Sequence, residues 1–518
     1  MDCDTLSKAF QNAILITRRL GIRFLWIDSI CIIQDGDEGK DWVSEAVKMG
    51  QYYQNSILTI AITTSSPHDD FLSPRPHKPF LSLARLPYRG MSGIQRGYFY
   101  VYKRERPVDE QFLSGVWNSE LLRRGWVFQE WLLSRRIAYF TPSQIFFECQ
   151  TEPPRTECED TIELPSLPPN LNKGFSLKTN LIFTPSSIEN TWYQILEIYS
   201  RLSFTIIEKD RIIALSGVAN EVRETFILND SQSKERKQLE YVSGLWLRDI
   251  HYGLLWQQKR APKEYLRISG IPSWSWASLQ LEVKWFKRRR GAVNAFKVVS
   301  LISANRVTYP IEPLDERPAS LSPSLSIRLD GMSTVLERYD VDNLFTSIHI
   351  TARLQAVLVR GIFQTKQDIR LAAWASGVDI EDDDLKQWAK DLQAGYIDPA
   401  TWQMALGLDF EARPWKAICS VRAPDVVGGW GSFEKNEHSN SSNISLDTRV
   451  CAIHVSTETG VPGGLAFGLL SLTHDVYNVL FVENVGGIQY RRVGVGKLFE
   501  KDMLRGFSRA KLQDIELV

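Results

Sequence analysis

Chemistry in this chain must come from carboxylates, hydroxyls or thiols, because the other usual sources lack the spacing they need. No strand-like run is followed by glycines at Walker or dinucleotide spacing, so backbone amides are not gathered into a phosphate cradle. There is no His-Glu-x-x-His, and the seven histidines are scattered, which suggests neither a zinc hydrolase nor a histidine relay. Cys31 and Cys149 read as inert buried thiols rather than nucleophiles, Cys31 having no histidine near it in sequence. Asp28 and Ser29 are more suggestive. They close the apolar run Phe24, Leu25, Trp26 and Ile27, and an acidic residue at the carboxyl end of a buried strand either bonds the following turn or lines a ligand crevice.

The elements that must position these groups follow from local pattern. Residues 24–27 read as a strand buried on both faces, and Gln34, Asp35, Gly36 and Asp37 supply turn chemistry. Asp41 caps a predicted helix over 41–54, with Trp42, Ala46, Met49 and Tyr53 on its inward stripe and Glu45 beside it. Residues 57–62 are apolar and β-branched, so the unit reads strand, helix, strand, a crossover that implies parallel pairing. Ahead of it, 6–20 reads as an amphipathic helix with Leu6, Phe10, Ala13, Ile14 and Thr17 inward, stopped by Gly21. Behind it come a loop over 64–97, a strand at 98–102, a helix over 121–133, and strands at 137–140 and 145–149.

Trp26-Ile27-Asp28-Ser29-Ile30-Cys31-Ile32-Ile33-Gln34-Asp35, Asp41-Trp42, Glu45-Ala46, Met49, Tyr53 and Leu58-Thr59-Ile60-Ala61 together resemble the fungal heterokaryon incompatibility (HET) domain family. The resemblance continues through Arg124-Gly125-Trp126, Gln129-Glu130, Leu133-Ser134-Arg135-Arg136, Phe140-Thr141 and Gln144 to Cys149, and weaker blocks reach Pro272 to Ser278. It implies nonself recognition and programmed cell death signalling in the cytoplasm, through protein partners or self-association, with no cofactor. The family's upstream strand, bearing a Ser-x-x-Trp-Gly type motif, has no counterpart here, so an N-terminally truncated domain, or an inactive member, is expected.

The order of elements also resembles the later half of a Toll/interleukin receptor (TIR) domain, in whose catalytic members a Trp-x-x-x-Glu helix carries the glutamate that cleaves NAD. That resemblance makes Glu130 the candidate catalytic residue, Asp28, Ser29 and Trp126 candidate ligand-binding residues, and NAD a possible substrate. With half the crevice gone, the 518-residue chain is expected to be inactive as a hydrolase. Read from the residues alone, Glu130 instead pairs with Arg123, Arg124 or a later arginine on the same helix surface, a contact worth tenths of a kcal/mol.

Composition bounds the rest. Length predicts two to four domains, and 61 basic against 61 acidic residues leaves no global field to draw nucleic acid or an anionic membrane. Six cysteines without Cys-x-x-Cys spacing fit a reducing compartment and argue against a zinc module, so no metal is expected. The predicted fold class is α/β, with a parallel-sheet HET domain at 1–150, a linker rich in Pro, Ser and Asn at 151–189, a helical region at 190–280 and a β-rich region at 281–518. Trp274 and Trp276, two apart, are expected to fill one face of a strand rather than form a site. The basic run Lys284, Lys287, Arg288, Arg289 and Arg290 reads as a solvated loop, and Asp379 to Asp384 as the acidic start of a helix.

Overall fold

A computed structural model describes residues 3–34, 39–63, 70–73, 84–89, 91, 93–101, 107–158, 188–229, 241–259, 267–286, 288, 291–303, 306, 308–313, 325–327, 345–362, 415–434, 448–462 and 473–518. The body of the predicted linker, all four prolines at 67–79, the acidic run at 379–384 with its helix, and Lys287, Arg289 and Arg290 lie outside the described residues. The chain divides into two compact units, residues 1–184 with 214–218, and residues 185–213 with 219–518.

In the first unit α1 (Lys8–Arg19) buries Ala9, Asn12, Ala13 and Thr17, so its inward face is rotated from the predicted one and Asn12 donates to Asp70 at 2.7 Å. The predicted strand at 24–27 does not form. Those residues are irregular, Phe24 is 80% exposed, and α2 (Asp28–Cys31) begins directly after them. An apolar run becomes a strand only when a neighbouring strand pairs its amides, and the described residues offer 24–27 none. Helix α3 (Lys40–Asn55) leads into β1 (Thr59–Ile62), as predicted. A hairpin of β2 (Ala84–Arg89) and β3 (Gln95–Val101) occupies the second half of the expected loop.

Short helix α4 (Val108–Phe112) and helix α5 (Gly125–Leu133) precede β4 (Arg136–Phe140), β5 (Ile145–Cys149) and β6 (Glu152–Thr156), the last within the stretch read as linker. The sheet order is β1-β4-β5-β6, with β1 parallel to β4 and the other two pairs antiparallel. The α/β class therefore stands, whereas the parallel sheet is corrected to a mixed one. Ala9, Phe71, Ala138 and Phe140 form a core there, joined by Ile16, Leu58, Ile60, Ile62 and Ile145.

The second unit opens with α6 (Ile188–Tyr199) and α7 (Ile207–Ile213), and it takes in α8 (Ser216–Asn229) from residue 219 onward. The next apolar stretch, read as helical, is instead the hairpin β7 (Tyr241–Val242) and β8 (Leu245–Trp246) followed by a single turn, α9 (Ile250–Gly253). Gly244 at φ +91° makes the hairpin turn tight enough for its carbonyl to accept from the Trp276 indole at 3.0 Å. Strands β9 (Trp256–Gln258) and β10 (Val283–Trp285) pair with each other. Trp274 and Trp276 are fully buried, as core residues, but Trp276 starts a 3-10 turn capped by Ser275 and not a strand. In the basic run Trp285 and Phe286 are buried and Arg288 pairs with Asp249, so part of it is structure rather than solvated loop.

Strands β11 (Val293–Asn294), β12 (Lys297–Ser303), β13 (Thr308–Pro313) and β14 (Leu325–Ile327) lead to the 18-residue β15 (Phe345–Ile362). There follow β16 (Trp415–Ser420), β17 (Ala423–Phe433), β18 (Thr448–Pro462), β19 (Thr473–Gly486), β20 (Gln489–Leu498), helix α10 (Lys501–Arg509) and β21 (Leu512–Leu517). Pairing runs β15 to β18, β19, β20, β17, β16 and back to β15, each antiparallel, so these strands close into a ring. Val357, Ile418, Phe433, Val479, Phe481 and Leu498 pack with Met503 and Phe507 of α10. Closure leaves no open edge within the ring, and Gly496 permits it because a Cβ there would collide with the Trp430 carbonyl.

Candidate functional site

Helix α5 buries Val127, Phe128, Trp131, Leu132 and Leu133, so it is apolar nearly all round and must be packed on most sides. Packing of that kind carries its two polar residues, Gln129 and Glu130, inward with it. Gln129 is fully buried, and Glu130 is half-buried. Tyr53, from the last turn of α3, hydrogen-bonds the Glu130 carboxyl. Burial pushes that carboxyl up to about 7; the Tyr53 bond and the Arg124 charge pull it down, and the charge of Asp28 adds to the rise. The Tyr53 phenol is held well above its ordinary value, first by burial and then by Glu130. Trp26 lies over this pair of tyrosines, its ring centroid 5.2 Å from Tyr52 and 5.6 Å from Tyr53.

The groups picked out from the sequence separate into two sets. Asp28 and Glu130 come close enough for their charges to interact, and Arg124 joins them. Ser29 is exposed, and its amide donates to Asp28 Oδ1 at 2.7 Å, so Asp28 also performs the turn-bonding role. Trp126, one helical turn before Glu130, meets Trp42 edge to face at 5.7 Å. The predicted crevice between the ends of two parallel strands is absent in that form, because residues 24–27 are not a strand. Arg124 acts on Glu130 through its charge, whereas Arg123 is not among the groups that move it.

Sequence reasoning assigned Tyr53 to the core stripe and so overlooked its hydroxyl. The signal was available, since a tyrosine on a buried face needs a partner for its O–H. Its neighbour Tyr52 donates to Glu45, which pushes Tyr52 up to about 12, while Lys48 and Tyr52 hold Glu45 below the usual range. What the arrangement offers chemically is a carboxyl that is partly protonated near neutral pH, with a second carboxylate and a phenol beside it. Such a group can donate or accept a proton, or bear negative charge where a cation develops. Among the described residues no group of three or more His, Cys, Asp and Glu could hold a metal ion, and no two of the six cysteines are joined in a disulfide. No helix of the described residues is long and apolar enough to cross a membrane.

No curated protein and no solved structure matches the chain. Residues 2–130 do match one family model, described as heterokaryon incompatibility protein (HET). The match takes in α1, α2, α3 and most of α5, ending on Glu130 itself. The segment that gathers Asp28, Tyr53 and Glu130 is therefore the part of the chain that the heterokaryon incompatibility family model matches.

Proposed function

We propose that the protein is a nonself-recognition and cell death signalling module of the cytoplasm, acting by association with protein partners. The observation that carries this reading is the family match over residues 2–130. Asp28 is the residue through which the domain is most open to test, because it is exposed and lies beside Glu130 without being part of the core. Inducible expression of the full chain in a filamentous fungus should arrest growth and admit a vital dye, and Asp28→Asn should weaken both at equal protein level. Normal growth with verified expression of the wild type would end this reading.

One observation favours a second reading, cleavage of NAD with Glu130 as the catalytic carboxylate. Its carboxyl is pushed up to about 7, which is the tuning a proton-transfer or charge-stabilising group requires. In the reaction the nicotinamide leaves with the electron pair of the glycosidic bond, ionised Glu130 stabilises the cationic ribose, and water adds to that carbon and releases a proton. Ionisation sets the pH dependence, so nicotinamide release should rise from pH 6 to 8. Glu130→Gln should lower release by orders of magnitude with the fold intact. Release at background level by the wild type, or equal release by the variant, rejects this chemistry.

A further inference from the structure

The mixed sheet of the first unit ends on two edge strands of opposite character. Strand β6, Glu-Pro-Pro-Arg-Thr, carries Pro153 and Pro154, which have no amide hydrogen to offer, and the charges of Glu152 and Arg155. The β2–β3 hairpin is guarded in the same way by Arg85, Pro87, Arg89 and Arg96. Those are the devices by which proteins stop a sheet edge from pairing with another chain. Strand β1, Thr-Ile-Ala-Ile, has none of them. It pairs with β4 on one side only, and no described residue bonds the backbone of its other side. The segment expected beside it, residues 24–27, is irregular instead. Ile57, two residues before the strand, is 63% exposed.

We propose that the edge of β1 that no described residue pairs joins β1 of a second copy of this chain, antiparallel about a two-fold axis. The strand is suited to its own copy because it is uncharged. Antiparallel self-pairing sets Thr59 against Ile62 and Ile60 against Ala61, so no charge is buried or opposed. The product is one continuous sheet, β6-β5-β4-β1 followed by the same strands of the second copy in reverse, whose two outer edges are both the proline-blocked β6. Growth therefore stops at the dimer, a closed pairing rather than a filament. A charged or proline-rich partner strand would meet the same open amides but would lose this match. The inference deepens the associative reading above, yet oligomeric state is measured without any cell death readout, so either can fail alone.

The test uses the purified full chain. Light scattering coupled to size exclusion between 1 and 100 µM should show a concentration-dependent monomer–dimer equilibrium, and hydrogen exchange at 59–62 should slow as concentration rises, a concentration range chosen as an order-of-magnitude for a short edge contact. Ile57→Lys sets a lysine beside the edge at an exposed position outside the core, and should raise the dissociation constant at least about tenfold with an unchanged melting temperature. Ile62→Lys should do so more strongly. A wild type that stays monomeric at 100 µM overturns the proposal, and so does a dimer that Ile57→Lys leaves intact or whose formation does not protect 59–62.

Discussion

The mixed sheet of the first unit and the ring of the second solve the same problem in opposite ways. In the ring each strand has two neighbours, and its buried cations are paired: Arg492 with Glu434, and Lys497 with Glu458 at 2.9 Å. In the first unit one edge of the mixed sheet is paired by no described residue, and on helix α5 the Glu130 carboxyl is pushed up to about 7 by burial. Completed pairing makes a scaffold, whereas open pairing and unsettled charge are where partners and chemistry enter. The HET match covers strand β1 and reaches Glu130, and it ends before β4.

The largest effects should fall on the fully buried aromatics of the second unit. Trp276→Ala removes a fully buried indole and its bond to the Gly244 carbonyl, and should cost about 3–5 kcal/mol in urea unfolding. Trp42→Ala should cost less than half of that, about 1–2 kcal/mol, because Trp42 is half-buried and rests on Trp126 rather than in the core stripe expected for it. Met49, which is buried, should behave more like Trp276 than like Trp42. Equal losses at Trp42 and Trp276 would erase the distinction between the two regions.

Acid should separate them next. His251 and His454 are buried in the second unit, and desolvation first of all holds each down to about 4 from an ordinary 6.5. The unfolded chain binds those protons more readily, so their contribution is full above pH 6.5 and is lost as pH falls toward 4. Each site accounts for up to about 3 kcal/mol. His251→Phe should flatten the acid limb of a stability–pH profile, and an unchanged limb would refute the assignment.

Glu130 should slope the other way and less steeply. Its folded value near 7 lies above the unfolded 4.5, so stability is full below 4.5 and is lost as pH rises through 7. Between pH 4.5 and 8 the wild type should lose on the order of 1–3 kcal/mol relative to Glu130→Gln, discounted for its partial exposure. Parallel profiles for the two proteins would show that its charge is not destabilised in the folded state. The smallest effect is expected at Asp28: Asp28→Asn should change stability by no more than about 0.5 kcal/mol in the same assay.

Helix α3, strand β1, helix α5 and strands β4 and β5 were legible because each carries its own periodicity and end signals. The segment 24–27 was misread for an instructive reason. An apolar run of four residues is the same string whether or not a second strand stands beside it. The Trp274 and Trp276 spacing was ambiguous in the same way, since a strand and a capped 3-10 turn both bury large side chains two apart. Tyr53 was placed on the correct face of its helix, but a stripe records direction and not what a hydroxyl meets at the end of it.

The sequence by itself determined the HET resemblance of residues 2–130, the α/β composition of the first unit, the β-rich character of the C-terminal region and the positions of Asp28 and Glu130. These are local properties, carried by residue types at short spacing. Only the tertiary structure decided that the sheet is mixed, that six pairings close a ring through β15, and that Tyr53 bonds Glu130 while the charge of Asp28 acts on it. Pairing and pKa depend on which groups arrive next to one another from distant parts of the chain, and burial acts on a carboxyl only after the helices around it have packed.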